Sequence, residues 1–586
     1  MTSEYETTVT GRAAMTLTGA SAGLTIWLLI ELLPTYVDNS HLLLLVAALV
    51  AGFFAALLAM AGPLSIGRAA LGAGGLAAIA ALFLEWASFR FVDIEPFLGS
   101  GFALSAWGAI LWIGTPFVAL RLWNRNYWVS YLDLFEFSWS VVVRYAAAWL
   151  FVGLFWAVLF LSDALLSLVS VNWIEDLIDI DPVPFLLTGA VLGLALRVVW
   201  EMRDYLSPYL VLHLLRLLLP VLLMVMVVFV LALPMSDPKT LFGGLSPAGT
   251  MMGAALGGIC LISVALDKSD ADAVSAVWMQ WATRLLALLL PVLCGVALYG
   301  IWLRVAQYGW TPARLAALVA ALVVLAYALI YALAVLRGGD WMARIRRGNL
   351  VMAGIVLALS LLWLSPLLNA EAISARSQVA RYLGGATTVE QTAIWELSHD
   401  WGRPGKRQLA RLQALEGDEH AALRAAIAAA GEAESRYSFE DRVVSDPGAP
   451  GAVALAGLIR SLPGEGTLAP ALLRDLPPFR IEDWLTACER DRAPGCMLVQ
   501  GAFAPQDAML TGILLLPGTG ADYEAMSVHI VGGRLIVGEY LRDMITGRGL
   551  RLTAEDAARV LAGDYRIAPS SRRSLWLGDL ELYPEN

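Results

Sequence analysis

Asn349-Leu-Val-Met-Ala-Gly-Ile-Val-Leu-Ala-Leu-Ser-Leu-Leu-Trp-Leu-Ser-Pro-Leu-Leu-Asn369-Ala-Glu-Ala-Ile-Ser-Ala-Arg-Ser-Gln-Val-Ala-Arg381 contains the switch on which the fold turns. From Asn349 to Leu368 no residue is charged, and the run is long enough for a helix to cross a hydrocarbon layer of ~30 Å. Beyond Asn369 the charges return at Glu371, Arg376 and Arg381. They are scarce before it because an ion is costly to place in hydrocarbon.

Toward the N-terminus ten further runs of this kind occur, near 13–33, 41–62, 66–89, 98–121, 139–162, 184–203, 211–234, 248–266, 281–303 and 312–336, before the last at 349–368. Residues 1–368 carry 18 Lys+Arg and 21 Asp+Glu, whereas the shorter stretch 369–586 carries 22 and 29. A hydrophobic fraction of 59% and a mean hydropathy of +0.68 exceed those of water-soluble globular chains. The expected architecture is an α-helical polytopic membrane bundle of about 11 transmembrane helices over 1–368, then a soluble α+β domain over 369–586. The lipid bilayer is the first partner this implies. A net charge of −10 with no basic stripe argues against nucleic acid. Polar Met1 to Thr10, followed by an apolar run that leads straight into another span, reads as a signal anchor rather than a cleaved leader.

Start signals sharpen several spans. Asp181-Pro182, Ser207-Pro208, Ser246-Pro247 and Thr311-Pro312 each pair a capping residue with proline at the first helical position. Orientation follows from the Lys/Arg bias at span ends. Placing Arg337, Arg344, Arg346 and Arg347 in the cytoplasm and alternating puts fourteen basic residues inside. The outside keeps four: Arg90, Lys239, Arg304 and Arg314. The N-terminus is then cytoplasmic and the C-terminal domain exported. Asp163 to Asp181 holds five acidic residues and no basic one, which suits the outer side. Its apolar middle is too short to span, so an interfacial or re-entrant helix is expected over 164–178. Gly19 and Gly23, and Gly249, Gly253 and Gly257, recur every four residues and predict close helix approach, within one bundle or at a dimer face.

The candidate polar cluster is Arg197, Glu201, Arg203, Asp204, His213 and Arg216, all near the cytoplasmic end of two consecutive spans. Arg197 and Glu201 are one turn apart and can pair. The group either builds a polar pocket or consists of long side chains reaching for the interface, and the second reading is preferred. No catalytic, cofactor or metal-ligand spacing occurs. The histidines at 41, 213, 399, 420 and 529 are scattered. Glu396, His399 and Asp400 are expected on a solvated helix that Thr387 and Glu390 would start at capping-box spacing.

Two stretches carry a family resemblance. Arg304-Val-Ala-Gln-Tyr-Gly-Trp-Thr-Pro-Ala-Arg314 joins the ninth and tenth spans, and Ile373-Ser-Ala-Arg-Ser-Gln-Val-Ala-Arg-Tyr-Leu-Gly-Gly385 follows the eleventh. Both resemble the bacterial membrane family named domain of unknown function 4153, which implies a multi-pass membrane protein and no particular activity. From the residues alone, the first stretch (Arg304, Gln307, Tyr308, Gly309, Thr311, Pro312, Arg314) is a helix-turn-helix connection. Gly309 suits a left-handed position, Thr311 a cap and Pro312 a first helical position.

In the C-terminal part, 371 to about 431 is helix-like with breaks at Gly384-Gly385 and Gly402-Arg403-Pro404-Gly405, and a loop-rich middle follows. Strand patterns cover Met497 to Phe503, Met509 to Leu516, Glu524 to Val531 and Leu535 to Tyr540, with a hairpin at Gly532-Gly533-Arg534. Thr553 to Leu561 reads as a capped helix. Cys488 and Cys496 are the two cysteines outside the spans and are candidates for a disulfide in an oxidising compartment. Closing that ring of nine residues contributes about 2.6 kcal/mol by chain entropy. Without a motif for chemistry, the preferred expectation is an envelope sensing, scaffolding or assembly protein acting through the exported domain. The alternative is a transporter or channel with charged helix ends lining a path.

Overall fold

The computed structural model describes residues 2–123, 129–202, 208–235, 247–389, 391–433, 435–436, 439, 450–464, 466–473, 476, 478–490, 493–501, 503, 510–518, 522–531, 533–541, 551–567, 575–577 and 580–582. The chain divides into two compact units, one comprising Met1–Thr387 and Glu396–Arg411, the other Thr388–Trp395 and Leu412–Asn586.

Among the described residues, eleven helices of the first unit are long and apolar enough to cross a membrane: α1 (Thr10–Tyr36), α2 (Ser40–Met60), α3 (Ile66–Ser88), α4 (Phe102–Trp123), α5 (Tyr131–Ser167), α6 (Pro182–Glu201), α7 (Tyr209–Met235), α8 (Pro247–Leu266), α9 (Val277–Tyr308), α10 (Pro312–Leu336) and α11 (Trp341–Leu364). This is a multi-pass membrane protein. Chain alternation gives the bundle a proximal end, where α1 starts, and a distal end, where α11 finishes. Local capping sets several starts. The side chain of Asn39 accepts from the amides of His41 and Leu42, and the Thr311 hydroxyl accepts from the amide of Arg314. Asp181 makes no such bond, although Pro182 does open α6; Ser207 and Ser246 lie outside the described residues.

At 37 residues, α5 is ~55 Å long, well beyond the hydrocarbon thickness. It absorbs the start of the segment expected to be interfacial. A separate short helix, Trp173–Ile178, follows, with Leu168, Val169 and Trp173 exposed around it.

Buried side chains form two main cores, one on α1 to α6 with Leu364 of α11, the other on α7 to α11. The closest approach is between α1 and α6. A Cβ on Gly19 would overlap the Gly189 carbonyl oxygen, one on Gly189 the Gly19 carbonyl oxygen, and one on Gly23 the Phe185 carbonyl oxygen. The glycine stripe of α1 thus packs within the chain. The α8 stripe differs: a Cβ on Gly253 meets nothing within 4 Å and one on Gly257 only Leu222 Cδ2 at 3.9 Å, while Gly258 faces Leu290.

Beyond α11 the first unit continues through α12 (Ala370–Leu383), capped by Asn369, and into α13 (Gly402–Gln413). Gly402 has φ +51°, a left-handed break that ends the π-turn Glu396–Asp400. The helix expected to start at Thr387 does not: residues 384–389 form turns and bends, and Glu390 is outside the described residues.

The second unit is α+β. Its mixed sheet runs β2 (Gly466–Thr467), β1 (Arg460–Leu462), β3 (Met497–Gly501), β4 (Leu510–Pro517), β5 (Tyr523–Val531), β6 (Arg534–Tyr540), with β7 (Arg551–Leu552) also paired to β5. Only β1 and β3 are parallel; the other pairs are antiparallel. Val531 pairs with Arg534 across a tight turn in which Gly533 has φ +77°. Alternation along the strands makes two apolar faces. The helix α14 (Ala421–Glu432) precedes the sheet; Leu498, Leu514 and Leu516 pack with α15 (Pro450–Leu458) and α16 (Pro478–Cys488), while Met497 and Leu515 pack with Ala557 of α17 (Ala554–Leu561).

Cys488 and Cys496 form a disulfide within the first of these cores. Alkylating the denatured, unreduced protein should therefore label two of its four cysteines, Cys260 and Cys294. Intact mass reads the result, and four labels would reject the bond.

Candidate functional site

The two stretches that carry the family resemblance meet at the distal end. Helix α9 stops at Tyr308, where Gly309 turns with φ +73°, and its last carbonyls lack intrahelical donors. Helix α12 supplies them. Arg381 donates to the carbonyls of Ala306 at 3.3 Å and Gln307 at 2.6 Å. The amide nitrogen of Gln378 donates to those of Tyr308 at 2.9 Å and Trp310 at 3.0 Å. Arg314 adds bonds to the Tyr308 and Gly309 carbonyls, and Ser377 Oγ accepts from the Trp310 amide. The guanidinium groups of Arg304 and Arg314 lie over the Tyr308 ring at 5.9 and 5.4 Å. Pro312 opens α10. Along the sequence these stretches are some seventy residues apart, yet they form one capped helix end.

The same device recurs. At the proximal end Arg144, 4% exposed, donates to the carbonyls of Ala59 (2.8 Å) and Ala61 (3.1 Å) at the end of α2, and stacks on Trp200. Arg344 donates to the carbonyls of Ala334 and Gly338 at the end of α10. Arg346 donates to those of Leu266 and Asp267 at the end of α8. At the distal end Arg90 donates to the Trp363 and Ser365 carbonyls that close α11 and pairs with Glu371 at 3.4 Å. Burial pushes the Arg90 pKa below its ordinary value, against the pull of Glu371. Cations at helix C-termini satisfy orphan carbonyls and complement the helix dipole.

The six residues of the candidate polar cluster do not all come together. Arg12 and Arg197 both bind Glu201, at 2.7 and 2.9 Å. Arg216 is in a different place, paired with Asp267 in the turn after α8 and donating to the carbonyls of Val264 and Asp272. His213 donates through Nδ1 to the Tyr209 carbonyl of its own helix. Arg203 and Asp204 lie outside the described residues. Sequence reasoning missed Asp267, whose partners come from α7 and α11. It also missed a polar chain in which Tyr331 donates to Asn349 Oδ1 (2.7 Å) and Asn349 Nδ2 reaches Tyr131 and Ser263 (both 3.3 Å). The available signal was Asn349 itself, an amide at the head of an apolar run. Among the described residues no group of three or more His, Cys, Asp or Glu could hold a metal.

The bundle also holds an apolar cavity of about 850 Å³, open on one flank, where α1, α5 and α6 meet α2 and α4.

A family model described as domain of unknown function (DUF4153) matches residues 24–401. The chain belongs to the DUF4153 family. The matched region contains both motif stretches, all the spans from within α1 onward and the turn Glu396–Asp400. It stops near the end of the first unit, so most of the second unit lies outside the DUF4153 match. No curated protein and no solved structure matches this chain.

Proposed function

We propose that this DUF4153 protein is a bacterial inner-membrane protein with a cytoplasmic N-terminus, whose second unit lies in the periplasm and serves in sensing, scaffolding or assembly at the envelope. The domain division proposed with it is a membrane part over 1–368 and an exported part over 369–586. One observation carries the reading. Arg90, Arg144, Arg216, Arg344, Arg346 and Arg381 are engaged with helix-end carbonyls or with a partner carboxylate. Charges so engaged hold spans together and do not line a path for ions, which weighs against the transporter reading. The fourteen-to-four Lys/Arg asymmetry supports the orientation.

The expected result is that an alkaline phosphatase fused after Asn369 is active and a cytoplasmic reporter there is silent. Deleting 414–586 should leave α1 to α11 inserted yet abolish the cellular phenotype. A silent phosphatase would reverse the orientation. A truncated protein that keeps full phenotype while Glu201→Ala loses it would replace this reading with transport.

A further inference from the structure

We infer that the cavity between α1, α2, α4, α5 and α6 is a binding site for one acyl chain of an anionic membrane phospholipid. No charged side chain lines it. Of its four lining hydroxyls, the three other than that of Ser138 are turned to neighbours: Thr115 donates to the Leu111 carbonyl, Tyr145 to the Ala55 carbonyl, and Thr188 accepts from the Trp156 indole. What remains, apart from Ser138 and the buried indole N–H of Trp107, is a hydrocarbon wall, built from small residues on α1 and α2 and the rings of Trp107, Trp112 and Trp149. Such a wall disfavours ions and polar solutes, which would lose hydration without compensation. Left empty, it would forfeit dispersion contacts over its whole surface.

The site is open on its flank. Ala51, Ala55, Trp112, Ala146 and Trp149 line the cavity and are also exposed, in the middle of spans where the surroundings are lipid tails. A chain can therefore enter sideways from the bilayer. From Ser138 to Trp149 the wall rises ~16 Å along α5, about half the hydrocarbon thickness. A volume of about 850 Å³ falls among those of ligand sites, ~300–1,000 Å³. The chain's headgroup lies toward the proximal end. There cavity-lining Ala59 stands one residue from the end of α2, and among the described residues Arg12 and Arg197 share the single carboxylate of Glu201. That excess of positive charge complements a phosphate. The site rests only on the membrane placement of the spans and is independent of what the second unit does.

Native mass spectrometry of the full-length protein, released from mixed micelles of equimolar phosphatidylglycerol and phosphatidylcholine, tests it. The wild type should retain one phosphatidylglycerol through delipidation. A Cβ on Gly108 meets nothing within 4 Å, so Gly108→Phe fills the cavity without pushing on backbone. Retention should then fall by about tenfold or more. Gly75→Phe, on an exposed face of α3 with nothing within 4 Å, should retain lipid like the wild type. A wild type that retains no lipid, or a Gly108→Phe protein that melts normally and retains as much, overturns the site. Equal retention of the two lipids overturns the anionic assignment. If Gly108→Phe does not fold, Ala146→Trp decides from the opposite wall with the same outcomes.

Discussion

Replacing Gly189 by alanine is expected to destabilise the protein by ~3 kcal/mol or more, the upper range for overpacking, whereas Gly253→Ala leaves it unchanged or stabilised. Both substitutions add one methyl group to a membrane helix. At Gly189 the methyl overlaps the carbonyl oxygen of Gly19, a backbone atom that cannot rotate away, and the reciprocal position is equally closed. The α1–α6 pair must separate, and the Arg12–Glu201 pair that bridges the two helices is pulled apart with it. At Gly253 the methyl meets nothing within 4 Å, so only the helix-propensity gain of ~1 kcal/mol over glycine remains. Denaturant titration of both variants in the same detergent measures the contrast. A Gly189→Ala protein as stable as the wild type would show that α1 and α6 do not touch through these glycines.

Arg216→Ala should lower stability by ~3–5 kcal/mol, the usual cost of stranding a buried partner charge. Asp267 is 3% exposed and Arg216 7% exposed, and Asp267 holds a left-handed conformation with φ +51°. Arg346 binds the Asp267 carbonyl but not its carboxylate, so it cannot neutralise the charge left behind. The double variant Arg216→Met with Asp267→Asn should recover most of the loss. It removes both charges together, and asparagine tolerates the left-handed backbone. Unfolding midpoints of the single and double variants decide. Equal losses in the two would mean that packing around Arg216, not the stranded carboxylate, sets the effect.

The arginine caps explain why the charge clusters were harder to see than the spans. A span is a local property: twenty apolar residues declare themselves wherever they occur. The reach of Arg381 back to α9, or of Arg144 to α2, joins positions 74 and 85 residues apart. No periodicity records such a pairing. Arg197 and Glu201 could be paired from sequence because one helical turn separates them, but Arg12 could not be assigned to Glu201. In the second unit the strands from β3 to β6 were visible as alternating runs. The three-residue strand β1 was not, because it is defined only by its parallel pairing with β3. Helices α15 and α16 were hidden by the prolines and glycines around them.

The membrane class, the number of spans, the Gly309-Trp310-Thr311-Pro312 turn and the α+β character of the C-terminal part are therefore legible in the residues alone. Each follows from burial or backbone preference over a short window. It takes the folded chain to show that α1 meets α6 through glycines while the Gly253 face of α8 stays open, that Arg216 belongs with Asp267 rather than with Glu201, and that α1, α2, α4, α5 and α6 leave an apolar cavity between them. These are properties of surfaces brought together from distant parts of the chain, and hydrocarbon, which treats every apolar face alike, leaves no mark in the sequence of which face meets which.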